Sequence, residues 1–359
     1  MIENKLIFEF KNDDEFVAEL SDCGLFNKLE DKRQNNFCFL HLTIQDFLAA
    51  LHVVGDMNNV ESFFSEHIDD PQWYLVMQFV SGLVGDKMRE LERERNELKR
   101  LTIQNAEKRQ EELCKNEGIT KSFCKRFPDW MPKTDTIENE NDLLVIKCVH
   151  EMQVISLMKE LAASFGCKEN AEGIHLRNVI IAPAESTALF QFLSHIENLR
   201  VLKFLDCKMD HLAFCEFPKL LLNNDNCKLT ELHKIQGSLT DEIVPCLGDA
   251  LKSEHCKLTK LDISTNNLTD ESGRYLSDTL KSENCKLIKL DMSSNRLTDE
   301  SCRCLSDALK SENCKLTKLD ISNNNLTDES GRYLSDTLKS ENCKLIKLDM
   351  SSNRLTDES

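Results

Sequence analysis

This sequence has no long apolar run, no cysteine pair of the common metal-binding spacing and no surplus of positive charge. Each lack closes a class of function. No stretch approaches the ~18 uninterrupted apolar residues of a membrane-spanning helix. The opening, MIENKLIFEFKND, is charged throughout and lacks the apolar core of a secretory signal. With 45 Lys+Arg against 62 Asp+Glu, the net charge is −17. Nucleic-acid binding needs a basic face to neutralise phosphates, and this balance argues against it. The sixteen cysteines contain no C-x-x-C pair, and Cys302 with Cys304, two apart, is a weak metal signal by itself. Reduced thiols in a soluble, cytoplasmic protein are the expectation.

Catalytic signatures are equally thin. There is no nucleophile elbow, no metal-ligand cluster and no G-x-x-x-x-G-K-[ST] phosphate loop, and no acidic Walker B strand stands out. Paired carboxylates such as Asp270-Glu271 recur once per repeat, which suits a helix start better than general acid–base work. The sequence predicts a non-enzyme that holds no metal and no cofactor of its own.

What is present is a repeat. Cys227, Cys256, Cys285, Cys314 and Cys343 stand 29 residues apart. From Cys256 the units read CKLTKLDISTNNLTDESGRYLSDTLKSEN and CKLIKLDMSSNRLTDESCRCLSDALKSEN, and then the pair begins again. Leu258, Leu261, Ile263, Asn266 and Leu268 fill the pattern L-x-x-L-x-L-x-x-N-x-L of leucine-rich repeats, as do Leu287, Leu290, Met292, Asn295 and Leu297. Alternation sends Leu261 and Ile263 inward from a short parallel strand, and Asn266 turns the chain by bonding backbone groups. Thr269 is placed to cap a helix whose Leu276 and Leu280 face back onto the strands, with Gly273 allowing close approach. No unit buries its apolar face alone, so the units must stack. Upstream, Leu199, Leu202, Phe204, Cys207 and Met209 fit the template, Leu229, Leu232 and Leu239 fit partly, and Leu176, Val179 and Ile181 suit a first strand. Residues 314–342 repeat 256–284 with one change, Thr265 to Asn323, and 343–359 repeat 285–301 unchanged. The expected fold is an α-helical half followed by an α/β leucine-rich-repeat solenoid of the ribonuclease-inhibitor type. Parallel strands would line its concave face and helices its outside. The array is read as truncated, with no polar cap on its last layer.

The first half is predicted helical over 55–165. Trp73, Val76, Val80, Leu83 and Val84 form one stripe; Ile146, Val154, Leu157 and Leu161 form another. The mixed-charge stretch RELERERNELKR has only a thin seam of Met88, Leu91 and Leu98 and is read as a solvated helix. Residues 127–132, FPDWMP, read as a loop. Ahead of these lies FCFLHLTIQDFLAAL, residues 37–51: a strand through Phe37 and Phe39, then a helix through Ile44, Phe47, Leu48 and Leu51, with Thr43 placed to cap it. His41 falls at the hinge, beside a helix N-terminus that favours an anion. A histidine bonded to a nearby carbonyl fits the same residues.

That stretch resembles the end of the winged-helix domain of NACHT-containing NLR proteins, cytosolic nucleotide-switched immune receptors. PQWYLVMQFVSGLVG is similar to a helix of their second helical domain, and LLVIKCVHEMQ to the helix before their repeats. The resemblance implies a winged-helix remnant over 1–55, a helical domain over 56–165 and leucine-rich repeats over 166–359. It implies that His41 matches the family's contact to the terminal phosphate of ADP, idle in this chain. ADP or ATP would be held only with an upstream NACHT domain, placed before Met1. The implied function is the interaction and sensing portion of such a receptor; the alternative is a free-standing leucine-rich-repeat binding or inhibitor protein similar to ribonuclease inhibitor.

Strand alternation also names a surface. Lys260, Asp262 and Ser264 point away from the core, followed by Lys289, Asp291 and Ser293, then Lys318, Asp320 and Ser322, then Lys347, Asp349 and Ser351. These columns are the candidate face for a protein partner. A self-compensated, solvated surface of neighbouring Lys and Asp columns accounts equally well for them, because exposed ion pairs contribute little.

Overall fold

The computed structural model describes residues 8–9, 26–28, 36–39, 42–98, 106–166, 173–209, 211–218, 227–233 and 239–356. The chain forms two compact units, Met1–Asp129 with Lys147–Ile155 and Trp130–Ile146 with Ser156–Ser359.

The first unit opens with three short strands, β1 (Phe8–Glu9), β2 (Phe26–Lys28) and β3 (Asn36–Phe39). They pair antiparallel in the order β1-β3-β2. Helices α1 (Leu42–Val54), α2 (Asn59–His67), α3 (Tyr74–Leu98) and α4 (Ala106–Cys124) follow, then a single turn, α5 (Phe127–Trp130). Helix α1 begins at Leu42, which places Thr43 in its first turn. His41 lies outside the described residues.

Two local expectations fail for the same reason, an apolar partner supplied by another element. The charged helix α3 is not simply solvated: α4 packs against it, with Leu91 buried and Arg95 paired to Glu117. FPDWMP is not a plain loop. Its first four residues form α5, because Phe127 is fully buried against Phe64 and Phe123, ring centroids 6.2 Å and 5.1 Å away. In α3, Val76, Val80 and Val84 are buried as the stripe predicts. Gly85 lets the helix press on the turn at Met152, since an added Cβ would fall 2.1 Å from that carbonyl oxygen. Arg89 Nη1 donates to the same oxygen at 2.7 Å.

Helix α6 (Glu140–Glu151) ends before Gln153, whose φ of 55° turns the chain into α7 (Ile155–Gly166). The stripe from Ile146 to Leu161 is therefore divided between two helices. The repeats then alternate strand and helix. β4 (Thr136–Ile137) stands before α6, and after α7 come β5 (Ile174–Arg177), β6 (Ile180–Ile181), α8 (Pro183–Ser194), β7 (Val201–Leu205), β8 (Lys208–Met209) and α9 (His211–Phe217). Next come β9 (Glu231–His233), α10 (Val244–Leu251), β10 (Lys260–Asp262), α11 (Asp270–Leu280), β11 (Lys289–Asp291), α12 (Asp299–Leu309), β12 (Lys318–Asp320), α13 (Asp328–Leu338) and β13 (Lys347–Asp349).

Eight strands make one parallel sheet, ordered β13-β12-β11-β10-β9-β7-β5-β4, and β6 pairs with β8 in a second. Leu261, Leu290 and Leu319 pair in register and are buried, as are Leu276, Leu305 and Leu334 of the facing helices. Gly273 permits the expected approach: a Cβ there would meet Ser301 Oγ at 2.4 Å. The second unit is a leucine-rich-repeat solenoid.

Candidate functional site

The outward columns follow from strand register. Lys260 aligns with Lys289, Lys318 and Lys347, and Asp262 with Asp291, Asp320 and Asp349. The same rows continue upstream with changed chemistry, for Glu231 aligns with Lys260 and with Val201, and His233 with Lys203. Together, His233 and the two columns line an open groove of about 220 Å³. That is below the ~300–1,000 Å³ of pockets that enclose small molecules, so the face suits a surface partner better.

Electrostatically the columns differ. Glu231 bonds Lys260 and His233, the latter at 3.0 Å, and neutralises the upstream end of the Lys column. Among the described residues, no column lysine reaches ion-pair distance of a column aspartate. Beyond Lys260, which Glu231 holds, the heads of Lys289, Lys318 and Lys347 thus stay available, and pairwise self-compensation is weaker than the sequence suggests.

The serines behave differently from expectation. Asp291 Oδ1 accepts from Ser293 N at 2.9 Å and from Ser293 Oγ at 2.6 Å. Asp262–Ser264, Asp320–Ser322 and Asp349–Ser351 repeat the arrangement. The hydroxyls fold back to close each turn, leaving one carboxylate oxygen per repeat for a partner. Burial pushes the Asp291 carboxyl up; the Ser293 bonds oppose this, and flanking Asp262 and Asp320 add to the rise.

A second set of residues holds the repeats together, and most of it escaped the sequence reading. Asn295 Oδ1 accepts from Leu268 N of the preceding repeat, while its Nδ2 donates to Ile263, Met292 and Ser293 carbonyls. Asn266 and Asn324 act alike, and Cys207 takes the place upstream, its thiol 3.2 Å from Leu176 O. Thr269 does cap α11, accepting from Glu271 N. The following aspartate does more than face its own helix dipole. Asp270 reaches into the next repeat and accepts from Thr298 N at 2.9 Å, from Thr298 Oγ1 at 2.6 Å and from Ser301. Asp241 and Asp299 do the same one repeat before and after. Burial pushes the Asp270 carboxyl up, but the bonds from Ser301 and Thr298 outweigh it and hold the group below the usual range. Lys286 Nζ spans backwards to the carbonyls of Glu254 and Cys256, a tie repeated by Lys315 and Lys344. The signal for all three ties was the invariance of Asn, Thr-Asp-Glu-Ser and Cys-Lys from unit to unit.

The aligned Cys256, Cys285 and Cys314 are buried, and burial pushes the Cys256 thiol up to about 11. Among the described residues no group of His, Cys, Asp and Glu is placed to hold a metal, and Cys302 is buried while Cys304 is not. No described helix is long and apolar enough to cross a membrane.

A family profile described as Leucine Rich repeat matches residues 254–277, 283–306, 312–335 and 341–359. No curated protein matches the sequence. A solved structure of an internalin (inlF) from Listeria monocytogenes is similar at 15% identity and a TM-score of 0.27. The match covers 56% of this chain and 66% of that one, just under two thirds of its length. The repeats are leucine-rich repeats, a type that serves protein–protein interaction.

Proposed function

We propose that this chain is the non-catalytic interaction and sensing portion of an NLR-like cytosolic innate immune receptor, with a protein partner held on the concave repeat face. In this reading 1–55 is a winged-helix remnant, 56–165 a helical domain and 166–359 the sensing repeats. The observation that carries the binding face is the in-register run of Lys289, Lys318 and Lys347, none at ion-pair distance of a column aspartate, beside half-exposed aspartates. Such a surface complements a partner that presents paired charges at strand spacing, ~4.8 Å apart. The order of a short antiparallel sheet, helices and then repeats supports the receptor assignment, as does the resemblance of residues 37–51.

The turn geometry dictates the variants. Replacing Asp291 by Lys would break the Ser293 turn as well as reverse charge, whereas Asp291→Asn keeps an acceptor. Affinity capture from cytosol should yield a protein retained by the native chain and lost with Lys289→Gln/Lys318→Gln or Asp291→Asn/Asp320→Asn. The same charge change at exposed Asp278 and Asp307 should leave retention unchanged. Equal retention by every variant would remove the concave face from the account. The receptor assignment has its own test, in a longer chain that includes an upstream NACHT domain. There His41→Ala should release ADP faster, because a ligand stabilises the state it binds better. In the present chain it should cost no more than about 1 kcal/mol. Equal ADP retention would make His41 an ordinary histidine.

A further inference from the structure

We propose that Cys215 and Cys246 form a reversible disulfide that ties α9 to α10 under oxidising conditions. Their sulfurs lie 3.1 Å apart, about 1 Å beyond the ~2.05 Å of a disulfide bond. Both thiols are partly exposed, so an oxidant reaches them. The aligned thiols of Cys256, Cys285 and Cys314 are buried, out of an oxidant's direct reach.

Neighbouring repeats explain why the two meet. The burial pattern of α10 repeats that of α9 at an offset of 30, which makes Cys215 equivalent to Pro245 and Cys246 equivalent to Glu216. The pair therefore lies on a diagonal between consecutive helices. Farther along the solenoid the same diagonal brings Arg274 toward Cys304 and Arg303 toward Tyr333. Contact across it is built into the stacking; only here are both ends cysteine.

The place also gives the bond something to do. Among the described residues the aspartate ladder begins at Asp241, which ties α10 to α11. The α9–α10 junction lies one step upstream of that ladder, and a covalent bond would supply a tie there. With oxidised glutathione as oxidant, one protein thiolate attacks a glutathione sulfur and displaces glutathione thiolate. The second protein thiolate then attacks the mixed disulfide and releases the other glutathione. Two protein thiols are oxidised, one glutathione disulfide is reduced to two thiols, and excess glutathione reverses both steps.

The test exposes the full chain to graded ratios of oxidised to reduced glutathione, blocks remaining thiols and maps peptides without reduction. The expected product is a cross-linked peptide pair joining Cys215 to Cys246, formed before any bridge among Cys256, Cys285, Cys314 and Cys343. The oxidised chain should melt several degrees higher than the reduced one, since the bridge closes a loop of 31 positions. Cys246→Ser should abolish both the cross-link and the rise, leaving a glutathione adduct on Cys215. Stable adducts on both native thiols with no cross-link, or bridges forming first elsewhere, would overturn the proposal. The mapping of the native chain decides this even if Cys246→Ser fails to fold.

Discussion

Asp270 and Asp291 belong to two aspartate columns that climb the solenoid with one 29-residue period, yet their carboxyls shift in opposite directions. Burial raises both. Asp270 meets two hydroxyls and two backbone N–H groups from the next repeat, and these outweigh burial. Asp291 meets only its own turn serine, while aspartates stand on either side of it. The comparison separates residues that build the repeat from residues the repeat carries. A carboxylate with donors from the next unit stabilises the stack; one flanked by its own copies is tolerated on the surface and left free to meet a partner.

The largest effect should come from emptying the capping column. Asp270→Ala removes the acceptor for Thr298 N, Thr298 Oγ1 and the fully buried Ser301. Urea denaturation should show a loss of about 3 kcal/mol, the scale of several buried bonds to one charged group. A loss as small as that of an exposed substitution would mean the inter-repeat cap carries no stability.

Acid should next separate the capping column from Asp291, the outward aspartate that burial raises; Asp349, held down by its Ser351 bonds, does not share that rise. For Asp241, Asp270 and Asp299 the folded pKa lies below the unfolded value of ~3.9. Their stabilisation is complete above that value and is lost as pH falls through the depressed folded pKa. Asp291 runs the other way: its folded pKa is raised, so ionisation costs stability at neutral pH. That cost disappears as pH falls through its folded value. Melting followed from pH 7 to pH 3 should therefore flatten for Asp270→Asn and steepen slightly for Asp291→Asn. Identical slopes in the two variants would erase the distinction.

A smaller effect tests the turn that positions both columns. Thr265, Ser294, Asn323 and Ser352 all have positive φ, between 52° and 59°. A β-branched residue fits that region poorly, whereas asparagine visits it readily. The single difference between 256–284 and 314–342 falls at this position, Thr265 against Asn323. Thr265→Asn should stabilise by about 1 kcal/mol, and Asn323→Thr should cost a similar amount, also because Asn323 Nδ2 donates to Ser294 Oγ at 2.9 Å. Calorimetry showing the reverse order would mean the turn is relaxed for threonine.

Much of this was legible in the sequence because the repeat states it several times over. Strand register, the inward leucines, the Asn turn and the Thr cap all follow from spacing within one unit. What spacing within a unit cannot convey is a bond to the next one. Asp270 looked like a helix-start acid and Lys286 drew no reading at all, since their partners lie 28 to 32 positions away. The same limit hid the meeting of Cys215 with Cys246. In the first unit, where nothing repeats, α3 looked solvated and residues 127–130 looked irregular. Their apolar partners lie in other elements, α4 for α3 and the Phe64–Phe123 pair for Phe127, and no unit-to-unit repetition announces them.

The most direct measurement sets the two columns against each other with one chemical change. Asp270→Asn and Asp291→Asn each remove a charge, keep the shape and leave one carbonyl acceptor. Unfolding free energies at pH 7 should show Asp270→Asn destabilised by about 1 kcal/mol, with Asp291→Asn equal to the native chain or slightly above it. Equal losses in the two variants, or a larger loss at Asp291, would contradict the division into a column that holds the solenoid together and a column left for a partner.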